Sequence, residues 1–497
     1  MATVPLPDDP SFEQLRKKAK DLRDLARAGV PGALELIAAH DPRGAHPVTL
    51  AGAQLVVARH HGFASWARLK HHLETIERYR RIPDEVGETT DLVDRFLALA
   101  CLRYGSDDSP SRWERAARLL ADHPATIRSS IHAAAAVADE AAVGALLGGD
   151  PALATRQGGP YGWEPLLYLA YARHDPGMSE SATLGTAGLL LRHGADPNTG
   201  YLWHGLAPPF TALTGALGNG EGGQPEHPHG FALASTLLHA GADANDGQAL
   251  YNRQFRADNR HLLLLLEHGL GRGDGGPWRA RLGHTIDTPA ELVRQQLWWA
   301  IVHDMPERVR LLVSYGADFR AQFAAPGGRP SWARTSDGRT PAEVAALSGC
   351  PEIVEWLVAQ GAARPASEGV DGLIAAALRC DRPTVDRLRG HVEAARAQRP
   401  ALIVWAAARG KQDAIPLLAE LGFDVNALGR TDVPMEQAWE TALHQAAGNG
   451  DVELATRLLA LGADPNIRDA RYDSTPLGWA HHFGQDAMIE LLEPLTN

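Results

Sequence analysis

Two places along the chain set ionisable side chains beside aromatic ones. His303 and Asp304 close an apolar stretch that carries Trp298-Trp299, and Glu164 directly follows Trp163. A carboxylate facing an aromatic hollow loses solvation, its pKa rises, and it can then serve as a general acid or base. A lone carboxylate at a helix end is otherwise an ordinary surface residue. Arg320, Arg329, Arg334 and Arg339, grouped around Trp332, could clamp a carboxylate or phosphate or could form a solvated loop. The pairs His227-Pro228-His229 and His481-His482 lack a carboxylate or cysteine at a ligand spacing, so neither a metal nor a cofactor is expected. Asp107-Asp108-Ser109-Pro110 reads as a helix start rather than an acid pair. Cys101, Cys350 and Cys380 are widely spaced with no CxxC, which argues against a disulfide framework and a cysteine zinc site. The chain contains no phosphate-binding GxxxxGK[ST] loop, no GxSxG and no HExxH.

Composition narrows the classes further. The 497 residues are 44% hydrophobic, ample for a sizeable core, and the net charge is −12. Residues 1–81 carry 13 Lys/Arg against 9 Asp/Glu, so the remainder is strongly acidic and general nucleic-acid binding is disfavoured. The cluster Arg16, Lys17, Lys18, Lys20, Arg23 could touch an acidic partner, though such clusters are ordinarily the solvated face of an amphipathic helix. No stretch approaches the ~20 apolar residues that span a bilayer. The start, MATVPLPDDP, has no basic region followed by an apolar one, so a cytoplasmic protein is expected. Five lysines against 43 arginines fit a GC-rich coding genome.

These residues must be positioned by repeating elements. LLLRHGADPNTG (189–200) recurs as LLHAGADANDG (237–247), LLVSYGADFRA (311–321), LLAELGFDVNALG (417–429) and LLALGADPNIRD (458–469). Upstream of several copies stands a second signature, RTPAEVAALSG (339–349), ETALHQAAGNG (440–450) and STPLGWAHHFG (474–484). Thr-Pro starts a helix, with the hydroxyl as cap and proline in the first turn. Paired alanines let that helix lie close to its neighbours, and glycine supplies a left-handed stop. A second, antiparallel helix carries the Leu-Leu pair, and Gly-Ala-Asp turns the chain outward. From about Ile131 to Leu492 these units resemble ankyrin repeats, which implies an all-α fold: a solenoid of helix–turn–helix units with β-hairpin-like fingers.

The family's period is 33 residues, but here the turn glycines stand at 194, 241, 269, 316, 361, 422 and 462. The excess falls between the two helices at 173–187 and 221–230, and on the hairpin side at 199–208, 319–336 and 427–437. Equivalent loops of stacked repeats emerge on one edge, so these fingers are expected to share a rim and mark a binding face. The stretch 248–276 is least family-like, and its repeat register stays open. Residues 1–81 read as a small module of four helices that resembles one carried by many bacterial ankyrin-repeat proteins. Residues 82–90 read as a linker, 91–128 as a helical cap and 129–497 as the array.

In this family the residue just ahead of the small pair on each first helix faces the hollow. Here those are Ala133, Tyr168, Gly215, Trp299, Val344, Ala375, Trp405, Gln445 and Trp479; four of nine are aromatic, in a chain only 6% aromatic. Tyr171 lies one turn beyond Tyr168, and the fingers add Tyr161, Trp163, Tyr201, Trp203, Trp332, Trp439 and Tyr472. Either these rings line a groove that anchors a ligand, or they pack beneath the long fingers. The resemblance implies a scaffold that binds a protein partner in that groove. The alternative is a cyclase- or isomerase-like enzyme enclosing a hydrophobic or cationic small molecule, with Glu164, His303 and Asp304 as its acids and bases. Glu164 stands where the family usually has a capping threonine. His132 and His444 occupy a slot that the family uses for structural hydrogen bonds.

Overall fold

Short helices that begin on a threonine, aspartate or proline and pack through alanine set the architecture. The computed structural model describes residues 4, 6–7, 10–41, 48–323, 338–429 and 438–496, in two compact units, Met1–Val293 and Arg294–Asn497. Of the sequence expectations, Trp332, Arg329 and Arg334 and most of the fingers at 319–336 and 427–437 lie outside the described residues. Among the described residues no helix is long and apolar enough to cross a membrane.

The first unit opens with four helices, α1 (Phe12–Arg27), α2 (Pro31–His40), α3 (Leu50–His60) and α4 (Trp66–Tyr79). Ser11, Thr49 and Ser65 each accept a backbone N–H three residues on, satisfying a free donor of the first turn. Leu15, Leu22, Ile37, Ala53, Val56 and Leu69 close their core. Directly after α4, Arg80–Arg81 forms a short strand, β1. It pairs in parallel with β2 (Gly200–Trp203), which pairs antiparallel with β3 (Phe210–Thr211). The finger at 199–208 is thus a hairpin whose outer edge is taken by the chain's own N-terminal module. Between them, Ile76 and Tyr79 of α4 cover Leu202, Trp278 and Leu282, with the Tyr79 and Trp278 rings 4.9 Å apart. Residues 82–90 include a single 3-10 turn, Pro83–Glu85, and Arg103 donates to the carbonyls of Pro83 (3.2 Å) and Val86 (3.3 Å).

A helix pair, Leu92–Ala100 and Pro110–Asp122, leads into the repeating pairs Ile131–Ala136/Glu140–Gly149, Pro165–Tyr171/Glu180–Arg192, Ala212–Leu217/Gly230–His239 and Gly247–Gln254/Arg260–Glu267. First helices neighbour first helices along the row, and their alanines, Ala133 to Ala136 among them, are fully buried. Gly241, at φ +100, makes the turn after its second helix, a conformation that an L side chain adopts only with strain. The stretch 248–276, whose register the sequence leaves open, holds a regular pair. The additional helix Gly276–Leu282 follows, and it is this insertion that meets α4.

The second unit begins within the helix Pro289–Val302. It continues with Pro306–Ser314, Pro341–Leu347/Pro351–Ala359, Gly369–Leu378/Arg382–Arg387, Val392–Gln398, Leu402–Ala408/Ala414–Glu420, Ala442–Asn449/Val452–Ala460 and Pro476–His482/Asp486–Leu492. Thr340 with Glu343 and Thr441 with His444 form reciprocal capping boxes, and Thr475 caps Gly478 N. Leu402–Ala408, Ala442–Asn449 and Pro476–His482 lie in succession as neighbours. A bridge between Gly429 and Glu440 closes the base of the finger between the first two of these.

Candidate functional site

The densest group of expected binding residues is in the first unit. Tyr168 and Tyr171 come from the helix Pro165–Tyr171, Tyr161 and Trp163 from the loop before it, and Tyr201 from β2. Trp163 sits at the centre, its ring 4.6 Å from Tyr161, 5.3 Å from Tyr168, 5.0 Å from Tyr171 and 5.0 Å from Tyr201. The hydroxyls face inward. Tyr168 Oη donates to Gly158 O (2.9 Å) and accepts from Tyr161 N (3.1 Å). Tyr161 Oη donates to Ala98 O (2.8 Å), and Tyr171 Oη to Thr211 O (3.0 Å). Burial pushes these three phenols, and that of Tyr201, above the ordinary tyrosine range.

This corrects the expectation that Tyr161, Trp163, Tyr168 and Tyr171 line an open groove. Each is buried, Trp163 to 1% exposure, and the rings fasten the 157–163 loop and the hairpin onto the first helices. Trp203, two residues after Tyr201 and so on the same face of β2, stays half-buried at the strand's end. It lies edge-on to His204, which meets the Asp84 carboxylate at 3.0 Å.

The candidate acids and bases are each held by their own surroundings. Glu164 belongs to the first unit, where burial raises its carboxyl despite a hydrogen bond from Thr199, and its Oε2 has no hydrogen-bond partner. His303 and Asp304 belong to the second. The His303 ring stacks on Trp299 at 3.7 Å and its Nδ1 meets Trp299 O at 2.9 Å; burial, with Arg409 and Arg308 nearby, pulls its pKa down to about 3. Asp304 turns away at φ +53 to receive Lys411 Nζ at 2.6 Å. The imidazole is stacked and neutral while the carboxylate is ion-paired, each held by a different partner. His227 Nδ1 is occupied by the backbone N of His229 (3.0 Å). Among the described residues no three His, Cys, Asp or Glu converge as a metal site.

The other expected rings of the second unit are placed differently. Trp405 is 1% exposed, with the Arg399 guanidinium 5.2 Å and the Arg409 guanidinium 4.9 Å from its ring. Trp405 is therefore a packed residue too, a second correction. Tyr472, Trp439, Trp479 and Phe483 instead form a ladder, with successive centroid separations of 5.9, 5.4 and 6.1 Å. Its middle is fixed. Trp479 Nε1 donates to Asp469 Oδ2 (3.0 Å), the same carboxylate accepts Arg471 N (2.9 Å) and Ser474 N (3.1 Å), and Ala470 N donates to Trp439 O (2.7 Å). Those bonds hold Asp469 below the usual carboxylate range although burial acts the other way. Its ends are open: Tyr472 is 62% and Phe483 55% exposed. The Arg471 guanidinium lies 5.6 Å from the Trp439 ring and 5.3 Å from that of Tyr472.

Phe483 and Arg471 were missed from sequence, although Phe483 stands four residues after Trp479 and so on the same face of its helix. A ladder of rigid rings with open ends and one cation can grip apolar side chains of an extended segment. Residues 373–469, which include the Trp439 finger and two of the helix pairs around it, match the family model for ankyrin repeats in three copies.

Proposed function

We propose, taking this chain as an ankyrin-repeat protein, that its second unit holds a protein partner on the ladder formed by Tyr472, Trp439, Trp479 and Phe483. Ankyrin repeats are a protein–protein interaction module. The observation that carries the finer reading is the contrast along the ladder: Trp439 and Trp479 are fixed from behind, while Tyr472 and Phe483 remain 62% and 55% exposed. Exposed rings in contact with one another cost free energy in water and mark interaction surfaces. Rigid aromatics are also the side chains that most often dominate binding energy, because little rotamer entropy is lost when they are covered. The first-unit cluster, by contrast, has no ring area left to offer.

The test is quantitative capture from the source cell followed by titration of the recovered protein. Trp439→Ala with Tyr472→Ala removes the near end of the ladder, and a loss of roughly 30-fold or more in affinity is expected for hot-spot rings. Tyr161→Phe, in the buried cluster of the other unit, serves as the control and should bind as the parent does. Equal affinity of the double variant and the parent would sink the reading.

A further inference from the structure

Among the described residues, Arg399 is a cation without an anion of its own. It is 6% exposed, between the helices Val392–Gln398 and Leu402–Ala408. Its Nη1 donates to Leu347 O at 2.7 Å. Nη2 is buried with no hydrogen-bond partner, and among the described residues the bond from Nη1 is the one hydrogen bond of this side chain. A guanidinium presents Nε and Nη2 side by side, the fork that matches the two oxygens of a carboxylate. The carboxylate that acts on Arg399, Asp371, is already claimed: Arg339 binds it through Nη1 and through Nη2 (3.2 Å), and Gln398 Nε2 donates to it at 3.0 Å. The groups facing Arg399 are therefore Arg339 and Asp371, which neutralise each other, and the Trp405 ring, which also carries Arg409. Trp405 Nε1, buried beside them, likewise has no acceptor among the described residues. Arginine does not give up its proton at neutral pH, so the positive charge persists where water is largely excluded.

We infer that the Nε–Nη2 edge of Arg399, backed by Trp405, receives a carboxylate presented by the bound partner. This rests on the reading of the second unit as partner-binding and adds a chemistry to it. The helix carrying Trp405 is two inner-helix steps from the one carrying Trp479. At roughly 8–10 Å per step and about 3.3 Å per extended residue, the partner's acidic group stands about five or six residues from the side chains that cover the ladder. Arg399 gives the acidic end a position and a charge, and the ladder fixes the apolar end.

The experiment uses the full chain labelled with 5-fluorotryptophan, the Trp405 fluorine resonance being assigned by its absence in Trp405→Phe. Sodium acetate, sodium phosphate and a short glutamate-containing peptide are titrated separately at constant ionic strength to about 100 mM, where a single charge-assisted contact saturates. Acetate and the peptide are expected to move the Trp405 resonance saturably, Arg399→Lys to weaken this about tenfold by losing the planar fork, and Arg399→Met to abolish it. A resonance that acetate and the peptide leave in place, one that phosphate alone moves, or one that still moves in Arg399→Met would each overturn the inference. If Arg399→Met does not fold, the parent and Arg399→Lys titrations decide. These titrations are independent of the ladder variants, so loss of the partner in Trp439→Ala/Tyr472→Ala with no acetate response would refute the carboxylate site alone.

Discussion

Replacing Tyr168 by phenylalanine removes one oxygen atom and leaves the ring in place. The hydroxyl joins two buried groups, accepting from Tyr161 N and donating to Gly158 O. Without it, a buried N–H and a buried C=O lose their partner together. Each such loss costs about 1–3 kcal/mol, the upper part of the range applying where water cannot take over. Tyr168 is fully buried, so the expected destabilisation of the loop that carries Tyr161 and Trp163 is about 2–4 kcal/mol. Hydrogen exchange read by mass spectrometry suits a repeat protein, in which one global unfolding free energy is poorly defined. Peptides covering 157–171 should lose protection by roughly 30- to 1,000-fold, at 1.4 kcal/mol per factor of ten, with little change in the second unit. A change below about 0.5 kcal/mol, as for an ordinary surface site, would place the hydroxyl in water and restore the groove that the packing of these rings replaces.

An alkaline titration checks the same cluster. Tyr104, Tyr161, Tyr168, Tyr171 and Tyr201 all have raised folded pKa values, burial being the main cause. The unfolded chain therefore releases protons first, stability falls as pH rises through about 10, and tyrosinate absorbance from these five should appear only with unfolding. At the acid end the sign reverses. Burial lowers His72 and His174 to about 4 and His303 to about 3, so the unfolded chain binds protons first below about 6.5, and each contributes a loss on the order of 1.4 kcal/mol per pH unit until its folded value is reached; a urea midpoint unchanged between pH 7 and pH 5 would contradict this. Cys101 and Cys350 are buried, with thiols pushed up to about 12, whereas Cys380 is exposed, so a thiol reagent should label one cysteine in the native protein and three in urea. Arg253, buried between the carboxylates of Glu226 and Asp258, should cost about 3–5 kcal/mol of first-unit stability when changed to methionine, because two carboxylates lose their cation; denaturation of the variant measures it.

The repeat elements were readable because their signals are local. Thr340-Pro341 with Glu343, and Thr441 with His444, carry their own caps, and the His444 Nε2 contact to Ser474 O at 2.9 Å is the structural bond expected of that slot. His132 makes its counterpart to Arg156 O at 2.8 Å. Burial of the aromatics was not readable. Tyr168 and Trp479 hold equivalent positions in their helices, yet one is sealed and the other half open. What decides is whether a neighbouring loop folds back over the ring, a non-local outcome that periodicity does not carry. Arg399 was missed for a related reason: its lack of an anion among the described residues depends on Arg339 having already taken Asp371, a contact across 32 residues. The two-residue strand Arg80–Arg81 has no pattern at all from which to foresee it.

That strand bears on how the molecule can be divided. A fragment starting near residue 91, the natural cut if 82–90 were a free tether, would strip β2 of its outer neighbour and uncover Leu202, Trp278 and Leu282 at once. Such a truncated product would carry a bare, sticky sheet margin, the usual seed of insoluble protein. The repeats of the first unit and the leading four-helix module should therefore be expressed and studied as one piece.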